Sequence, residues 1–186
     1  VVGAHEHDIR QGHVRVFDWS GTAWVQIGLD IDGEFDFDEF GVSVDMSGDG
    51  NYIAIGAHLH KDSGIQIGAA YVFSWNGASW VQRGSNVEGS PNSYHGVSVG
   101  LSDDGKKLVV GARGSSGFAR VYEFANDWQQ IGADIAPSTW ATGQLGWSVD
   151  FSGDGNHIVI GAKELGEVFT YDLSNPGACL NGATCV

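Results

Sequence analysis

Apolar residues along the chain fall into short runs separated by turns. The runs at 53–57, 108–112 and 158–162 are rich in aliphatic side chains, and each closes on Gly-Ala. Four further runs, at 14–19, 70–75, 119–124 and 167–171, alternate with a period of two residues. Alternating runs of this length, bounded by Gly and Asn turns, predict an all-β protein.

One ten-residue segment occurs three times. It reads GVSVDMSGDG at 41–50, GVSVGLSDDG at 96–105 and GWSVDFSGDG at 146–155, so the spacings are 55 and 50 residues. Each copy precedes a Gly-Ala run, and residues 1–4 (VVGA) are a lone copy of such a run. The last run of a unit begins with a tryptophan, which is Trp24, Trp80 or Trp128. Each full unit is therefore predicted to be a sheet of four hairpin-connected strands.

Sheets repeated at this period predict the blades of a β-propeller. The units divide the chain into a partial blade (1–40), two blades (41–95 and 96–145), a partial blade (146–172) and a tail (173–186). A β-sandwich is the alternative fold, but it gives no reason for a constant sequence period. Both partial blades supply strands two and three, so they cannot complete each other within one chain. We expect the missing strands to come from copies of the chain or from the rest of a longer polypeptide.

The repeated segment resembles the FG-GAP repeat of integrin α-subunit heads and of related secreted propellers. The resemblance rests on Phe40 and Gly41, the Asp-Gly turn that follows, and the Ile-Gly-Ala at 55–57. It covers residues 1–172, with His95 and Leu145 in the place of the phenylalanine. It implies a propeller that works outside the cell in adhesion or ligand binding, with calcium in some first hairpins.

Calcium is the cofactor that this resemblance suggests. The turn of the first hairpin, at 45–51, offers about three side-chain ligands where calcium takes six to eight oxygens, so a structural turn is expected there. The acidic segment 30–39 is the other candidate, because alternation would place two of its carboxylates on one side of a strand. Its candidate metal ligands are Asp30, Asp32, Asp36 and Asp38. The alternative is a solvated acidic loop between blades, and no cofactor is otherwise predicted.

Histidine and tryptophan also recur. Two His-x-His pairs, at 5/7 and 58/60, follow equivalent Gly-Ala ends and could each offer two zinc or copper ligands. Polar loop residues are the default interpretation, because the other two units carry Arg113 and Lys163 at the first of these positions. Most of the tryptophans recur at fixed positions of the repeat, which indicates packing between blades rather than carbohydrate stacking.

Charge and motif content exclude several functions. Nine Lys and Arg stand against 23 Asp and Glu, a net charge of −14, so the surface should repel nucleic acid and anionic membranes. No apolar run approaches the ~18 residues of a membrane span. The sequence shows no convincing nucleophile with a base, phosphate loop or carboxylate pair. We therefore predict that the protein is not an enzyme, and a glycan-binding or glycan-active secreted propeller is the alternative.

The tail contains both cysteines, Cys179 and Cys185. Its sequence CLNGATC resembles the Cys-x-Asn-Gly-x-x-Cys opening of an EGF-like module, so 173–186 is interpreted as a linker and a partial module of that kind. The two cysteines pair with each other or with residues outside the chain, and either pairing favours an oxidising, extracellular setting. The overall prediction is an extracellular structural or adhesive protein that acts through protein-protein contacts, and a surface filament is one form such contacts could produce.

Overall fold

The computed structural model describes residues 1–114, 117–136 and 144–174, together with the backbone of 179 and 180. This part of the chain is almost entirely β-strand. Its only helix is a short turn, α1 (His7–Arg10), in which Asp8 and Ile9 have positive φ angles. No helix in the described residues is long and apolar enough to cross a membrane.

The strands follow the sequence repeats in order. The first unit contributes β1 (Val2–Ala4), β2 (His13–Arg15), β3 (Phe17–Trp19), β4 (Trp24–Gln26) and β5 (Ile31–Asp32). The second contributes β6 (Ser43–Met46), β7 (Tyr52–Ala57), β8 (Lys61–Asp62), β9 (Ile65–Gln66), β10 (Ala69–Trp75), β11 (Trp80–Gln82) and β12 (Val87–Glu88). The third contributes β13 (His95–Leu101), β14 (Lys107–Ala112), β15 (Phe118–Phe124) and β16 (Trp128–Ile135). The fourth contributes β17 (Leu145–Phe151), β18 (His157–Ala162), β19 (Glu167–Asp172) and β20 (Cys179–Leu180).

Each unit forms its own antiparallel sheet. The first sheet has the order β1-β2-β5, the second β11-β10-β7-β6 with β12 also paired to β10, the third β13-β14-β15-β16, and the fourth β17-β18-β19-β20. The strands β3 and β4 form a separate hairpin, as do β8 and β9. Successive hairpins within one sheet per repeat confirm the predicted blade architecture.

The hydrophobic core lies between neighbouring sheets. Adjacent residues of one strand enter different cores, because successive side chains point to opposite faces. In β14, Val110 packs towards the second sheet and Val109 towards the fourth. Likewise Ile55 of β7 packs towards the first sheet and Ala54 towards the third. This explains why the Gly-Ala runs are apolar at every position.

The fourth sheet has a strand that the sequence analysis did not predict. The backbone of β20 pairs antiparallel with Thr170 and Tyr171 of β19. Cys179 therefore lies on an outer strand of this sheet, whereas the sequence interpretation placed it in a linker and partial EGF-like segment. Cys185 lies outside the described residues, so the pairing of the two cysteines stays a prediction.

Candidate functional site

A contact between serine and glycine joins neighbouring sheets. The hydroxyl of Ser43 donates to the carbonyl oxygen of Gly96, 2.9 Å away, and that of Ser98 donates to Gly146 at 2.8 Å. Glycine lines the same contact: a Cβ added to Gly111 would lie 2.0 Å from the Gly146 carbonyl oxygen. We call this arrangement the serine-glycine joint. The repeated Ser and Gly positions thus allow the backbone of the next sheet to approach closely.

Tryptophan makes a second contact between sheets. The indole Nε1 of Trp80 donates to the carbonyl of Ile27 at 3.2 Å, and that of Trp128 donates to Arg83 at 2.8 Å. Both acceptors belong to the preceding repeat. The prediction that recurrent tryptophans pack between blades is confirmed at these two positions.

The outer face of the fourth sheet carries joint residues that no described residue covers. The three atoms nearest to a Cβ on Gly161 all belong to Ser148 of its own sheet, and the Ser148 hydroxyl has no hydrogen-bond partner among the described residues. Val159 and Val168 are 36% and 62% exposed, whereas Val109, which is equivalent to Val159, is 0% exposed. This face, formed by Ser148, Val159, Gly161 and Val168, is called the open face below.

The first sheet is exposed on its opposite side. Trp24 occupies the position of Trp80 and Trp128 in its repeat, yet it is 68% exposed. Val2 of β1, which is equivalent to the buried Ile55, is 57% exposed. In the described part of the chain, the two ends of the array therefore present apolar surface that the inner sheets bury.

A row of basic and aromatic side chains runs along one edge of the array. The residue after Gly-Ala is His5, His58, Arg113 and Lys163 in successive sheets. Between the first two lies Glu39, which is buried and ion-paired with Arg10. Its Oε2 is 3.7 Å from His5 Nδ1 and 3.6 Å from His58 Nδ1.

Arg113 links this row to the next sheets. Its Nη2 donates to Nε2 of His58 at 3.0 Å, so the ring proton of His58 is placed on Nδ1. Burial, with the nearby Arg113, His5 and Arg10 charges, lowers the pKa of His58 to about 4. His58 is therefore neutral at pH 7. The guanidinium lies over the Tyr94 and Trp147 rings, and Lys163 lies over the Trp147 ring.

The four predicted metal ligands have different environments. The single Nε–H of Arg15 is shared between the two Asp30 oxygens at 3.0 Å, Arg15 Nη2 donates to Oδ2 at 2.7 Å, and these bonds help lower the pKa of Asp30 to about 2. Asp38 is buried and contacts His60 Nδ1 at 2.6 Å, and this bond raises the pKa of His60. Asp32 and Asp36 are exposed. No group of three or more His, Cys, Asp or Glu side chains among the described residues is arranged to hold a metal ion, and the calcium hypothesis stays a prediction.

The first-hairpin turns use their acidic side chain for local hydrogen bonds. Ser47 donates to Asp49 Oδ1 at 2.7 Å, and the backbone N–H of Asn51 donates to the same oxygen at 3.0 Å. These bonds lower the pKa of Asp49. Equivalent bonds occur at Asp104 and Asp154 in the next two repeats. The carboxylate is thus used to stabilise a turn.

We expect a calcium chelator to leave the melting temperature unchanged, because these turns are held by their own side chains. A tightly bound metal that binds only the folded state would stabilise it by several kcal/mol when saturated. The measurement is a calorimetric melt with and without EGTA. A chelator-induced fall of more than about 4 °C would contradict the expectation, since it corresponds to roughly 1 kcal/mol or more.

The fold and the joints define a propeller-type repeat protein. Residues 31–73 match the family model of the FG-GAP repeat, which indicates a domain for protein-protein interaction. No curated protein matches the chain.

Several solved structures share the fold. A putative 6-phosphogluconolactonase from Bacteroides uniformis aligns with TM-score 0.63 and 12% identity over 89% of this chain and 45% of that chain. Hydrazine synthase from Kuenenia stuttgartiensis aligns with TM-score 0.57 and 14% identity over 90% and 53%. KlAtg21 in complex with the coiled-coil of AgAtg16 aligns with TM-score 0.58 and 14% identity over 88% and 47%. This chain thus spans about half the length of these structures, and identities this low show the fold alone.

Proposed function

We propose that this protein is a non-enzymatic, extracellular interaction module that binds further propeller blades through the open face. The observation that carries the proposal is the serine-glycine joint at Ser148 and Gly161, which repeats the inner joints but is not covered by any described residue. The partner is a blade because a backbone carbonyl oxygen fills this position at the inner joints.

The blade could come from a second copy or from the rest of a longer polypeptide. Copies would meet head to tail, the open face of one against the first sheet of the next. Such a contact is heterologous and need not close into a ring, so repeated contacts would produce a filament or surface appendage. The apolar side chains at both ends support this arrangement, because burying them against another copy would stabilise the assembly by about 25 cal/mol per Å² of apolar area removed from water.

The extracellular setting rests on two features. FG-GAP repeats are typical of extracellular and surface proteins, and residues 31–73 match that repeat. Both cysteines lie in the tail, where the sequence resembles the start of an EGF-like module. We expect an adhesive or structural role, because a module with exposed binding faces at both ends can join other proteins.

A glycan-binding role is the alternative, and one pair of side chains favours it. Trp19 and Trp24 are exposed and neighbouring, with ring centroids 5.4 Å apart. Aromatic faces of this kind can stack on sugar rings. A pocket with two carboxylates beside an exposed tryptophan would be needed for glycan cleavage.

Sedimentation velocity over a concentration series tests the blade-docking proposal. The chain is expected to associate, and Val168→Asp should weaken association at least about tenfold, because it would bury an unpaired charge in the contact. Val81→Asp is the matched control: Val81 is 47% exposed and lies on β11 of an inner sheet. A folded chain that stays monomeric at every concentration would contradict the arrangement of copies, and equal effects of the two substitutions would contradict docking through the open face.

A further inference from the structure

Two basic side chains at the third and fourth sheets share one aromatic ring and have no acidic partner among the described residues. Lys163 Nζ lies 3.7 Å from the centroid of the Trp147 ring, and Arg113 Cζ lies 5.5 Å from it. Arg113 also lies 4.9 Å from the Tyr94 ring. Distances below about 6 Å are attractive cation-π contacts. One aromatic ring is therefore in contact with two positive charges.

Within the described residues, four of the seven other basic residues of this acidic chain are ion-paired. Arg10, Arg15, Lys106 and Arg120 contact Glu39, Asp30, Asp104 and Asp134, respectively. By contrast, the one hydrogen bond of Arg113 in the described residues goes to neutral His58. A guanidinium has five N–H donors, so most of those of Arg113 remain for a ligand. Lys163 is exposed, and Arg113 and Trp147 are partly exposed, so a ligand can reach them.

Between the first and second sheets, the same edge holds a carboxylate close to the equivalent side chains. There, Glu39 lies between His5 and His58, the residues that follow Gly-Ala in those sheets. Glu39 stands two residues before the glycine of its repeat, and Gln144 has the equivalent position before Gly146; both have positive φ angles. Between the third and fourth sheets the edge thus carries a neutral amide where the earlier edge carries a carboxylate. The Gln144 Oε1 atom is buried without a partner among the described residues.

We propose that Arg113, Trp147 and Lys163 form a binding site for the carboxylate of an acidic peptide segment, which supplies the negative charge that Gln144 lacks. The guanidinium and ammonium groups bind the carboxylate, and the Trp147 and Tyr94 rings contact the adjoining apolar atoms of the peptide. Polyanions such as nucleic acid are disfavoured by the net charge of −14 around the site. The inference does not rest on the proposed function, because a single chain contains the whole site.

The test uses the folded chain and three probes: the blocked tripeptide Gly-Asp-Gly, its Asn counterpart, and inorganic phosphate. Binding is followed by NMR through the Trp147 indole N–H signal, which Trp147→Phe identifies. The Asp peptide is expected to shift this signal in a saturable manner, and the Asn peptide is expected to leave it in place. Added salt should weaken the binding, because it screens exposed charges.

Arg113→Gln and Lys163→Gln should each weaken binding of the Asp peptide by about tenfold, the loss of one charge-assisted hydrogen bond. Lys106→Gln is the matched control, since it removes the same charge from an exposed side chain beside Asp104 and should change affinity less than about twofold. Melting curves establish that each variant folds. Equal binding of the Asp and Asn peptides, equal losses in Lys106→Gln and Lys163→Gln, or tighter binding of phosphate than of the Asp peptide would each overturn the proposal.

Discussion

Gly111→Ala is expected to destabilise the protein by about 3 kcal/mol, because the new methyl group has no space in the joint between the third and fourth sheets. Its Cβ would lie 2.0 Å from the carbonyl oxygen of Gly146. That oxygen belongs to the backbone and also accepts a hydrogen bond from the Ser98 hydroxyl. It can therefore move only if the two sheets separate. The free energy of unfolding in urea measures the effect, and the melting temperature should fall by roughly 6–12 °C.

Gly161→Ala is the matched control for this substitution. Gly161 has the same place in its repeat, but the atoms nearest to an added Cβ would be the side-chain oxygen of Ser148 at 2.4 Å and two other Ser148 atoms at 3.8 Å. A hydroxyl can rotate away, so a loss below about 1 kcal/mol is expected. Equal losses at both positions would show that the backbone contact is not the cause. If another blade docks on the open face, Gly161→Ala should weaken that association while the isolated chain stays stable.

The protein is expected to lose stability as the pH falls from 6.5, and His95 is expected to be the main cause. Its side chain is fully buried, Nε2 lies 3.1 Å from the Tyr122 hydroxyl, and Nδ1 has no partner among the described residues. Burial, together with the Arg120 charge, lowers the pKa of His95 to about 3, against 6.5 for a histidine in water, although Asp134 acts in the opposite direction.

The sign follows from proton counting. Below pH 6.5 the unfolded chain binds a proton that folded His95 does not, so stability present above pH 6.5 is lost progressively as the pH falls towards 3. The loss is about 1.4 kcal/mol per pH unit, or about 2 kcal/mol between pH 7 and pH 5. His58 acts in the same direction between pH 6.5 and 4, because its pKa is also lowered. His60 acts oppositely, because its pKa is raised and its contribution is lost as the pH rises.

His95→Phe tests this assignment. Phenylalanine occupies the equivalent position at Phe40, where the fold buries it. The variant should lose about 2 kcal/mol less than the parent chain between pH 7 and pH 5, as measured by urea unfolding at both values. Leu145→Phe is the control, because it places phenylalanine at the equivalent buried position of the fourth unit and removes no titratable group. An identical pH dependence in His95→Phe and the parent would contradict the role given to His95.

The sequence by itself determined the repeat, the strands and the blade architecture of this protein. These features are local: the two-residue period sets which side chains share a face, and Ser-x-Asp-Gly closes the first hairpin through contacts within five residues, such as Ser47 with Asp49. A constant period then makes every sheet alike, so the fold could be predicted from three spaced copies.

Only the tertiary structure decided which side chains meet between the sheets. The recurrence of Gly111 was visible in the sequence, but its contact with the Gly146 carbonyl was not. The His-x-His pair at 58/60 was visible in the sequence as two possible metal ligands, with polar loop residues as the default interpretation, but its contacts were not visible: His58 faces Glu39 and Arg113, while His60 pairs with Asp38. These partners lie 19 to 55 positions away in the chain, and packing of whole sheets sets their distances. A repeat pattern shows that the same residue type recurs at a position. The contacts of that residue depend on the neighbouring sheet, which the pattern does not describe.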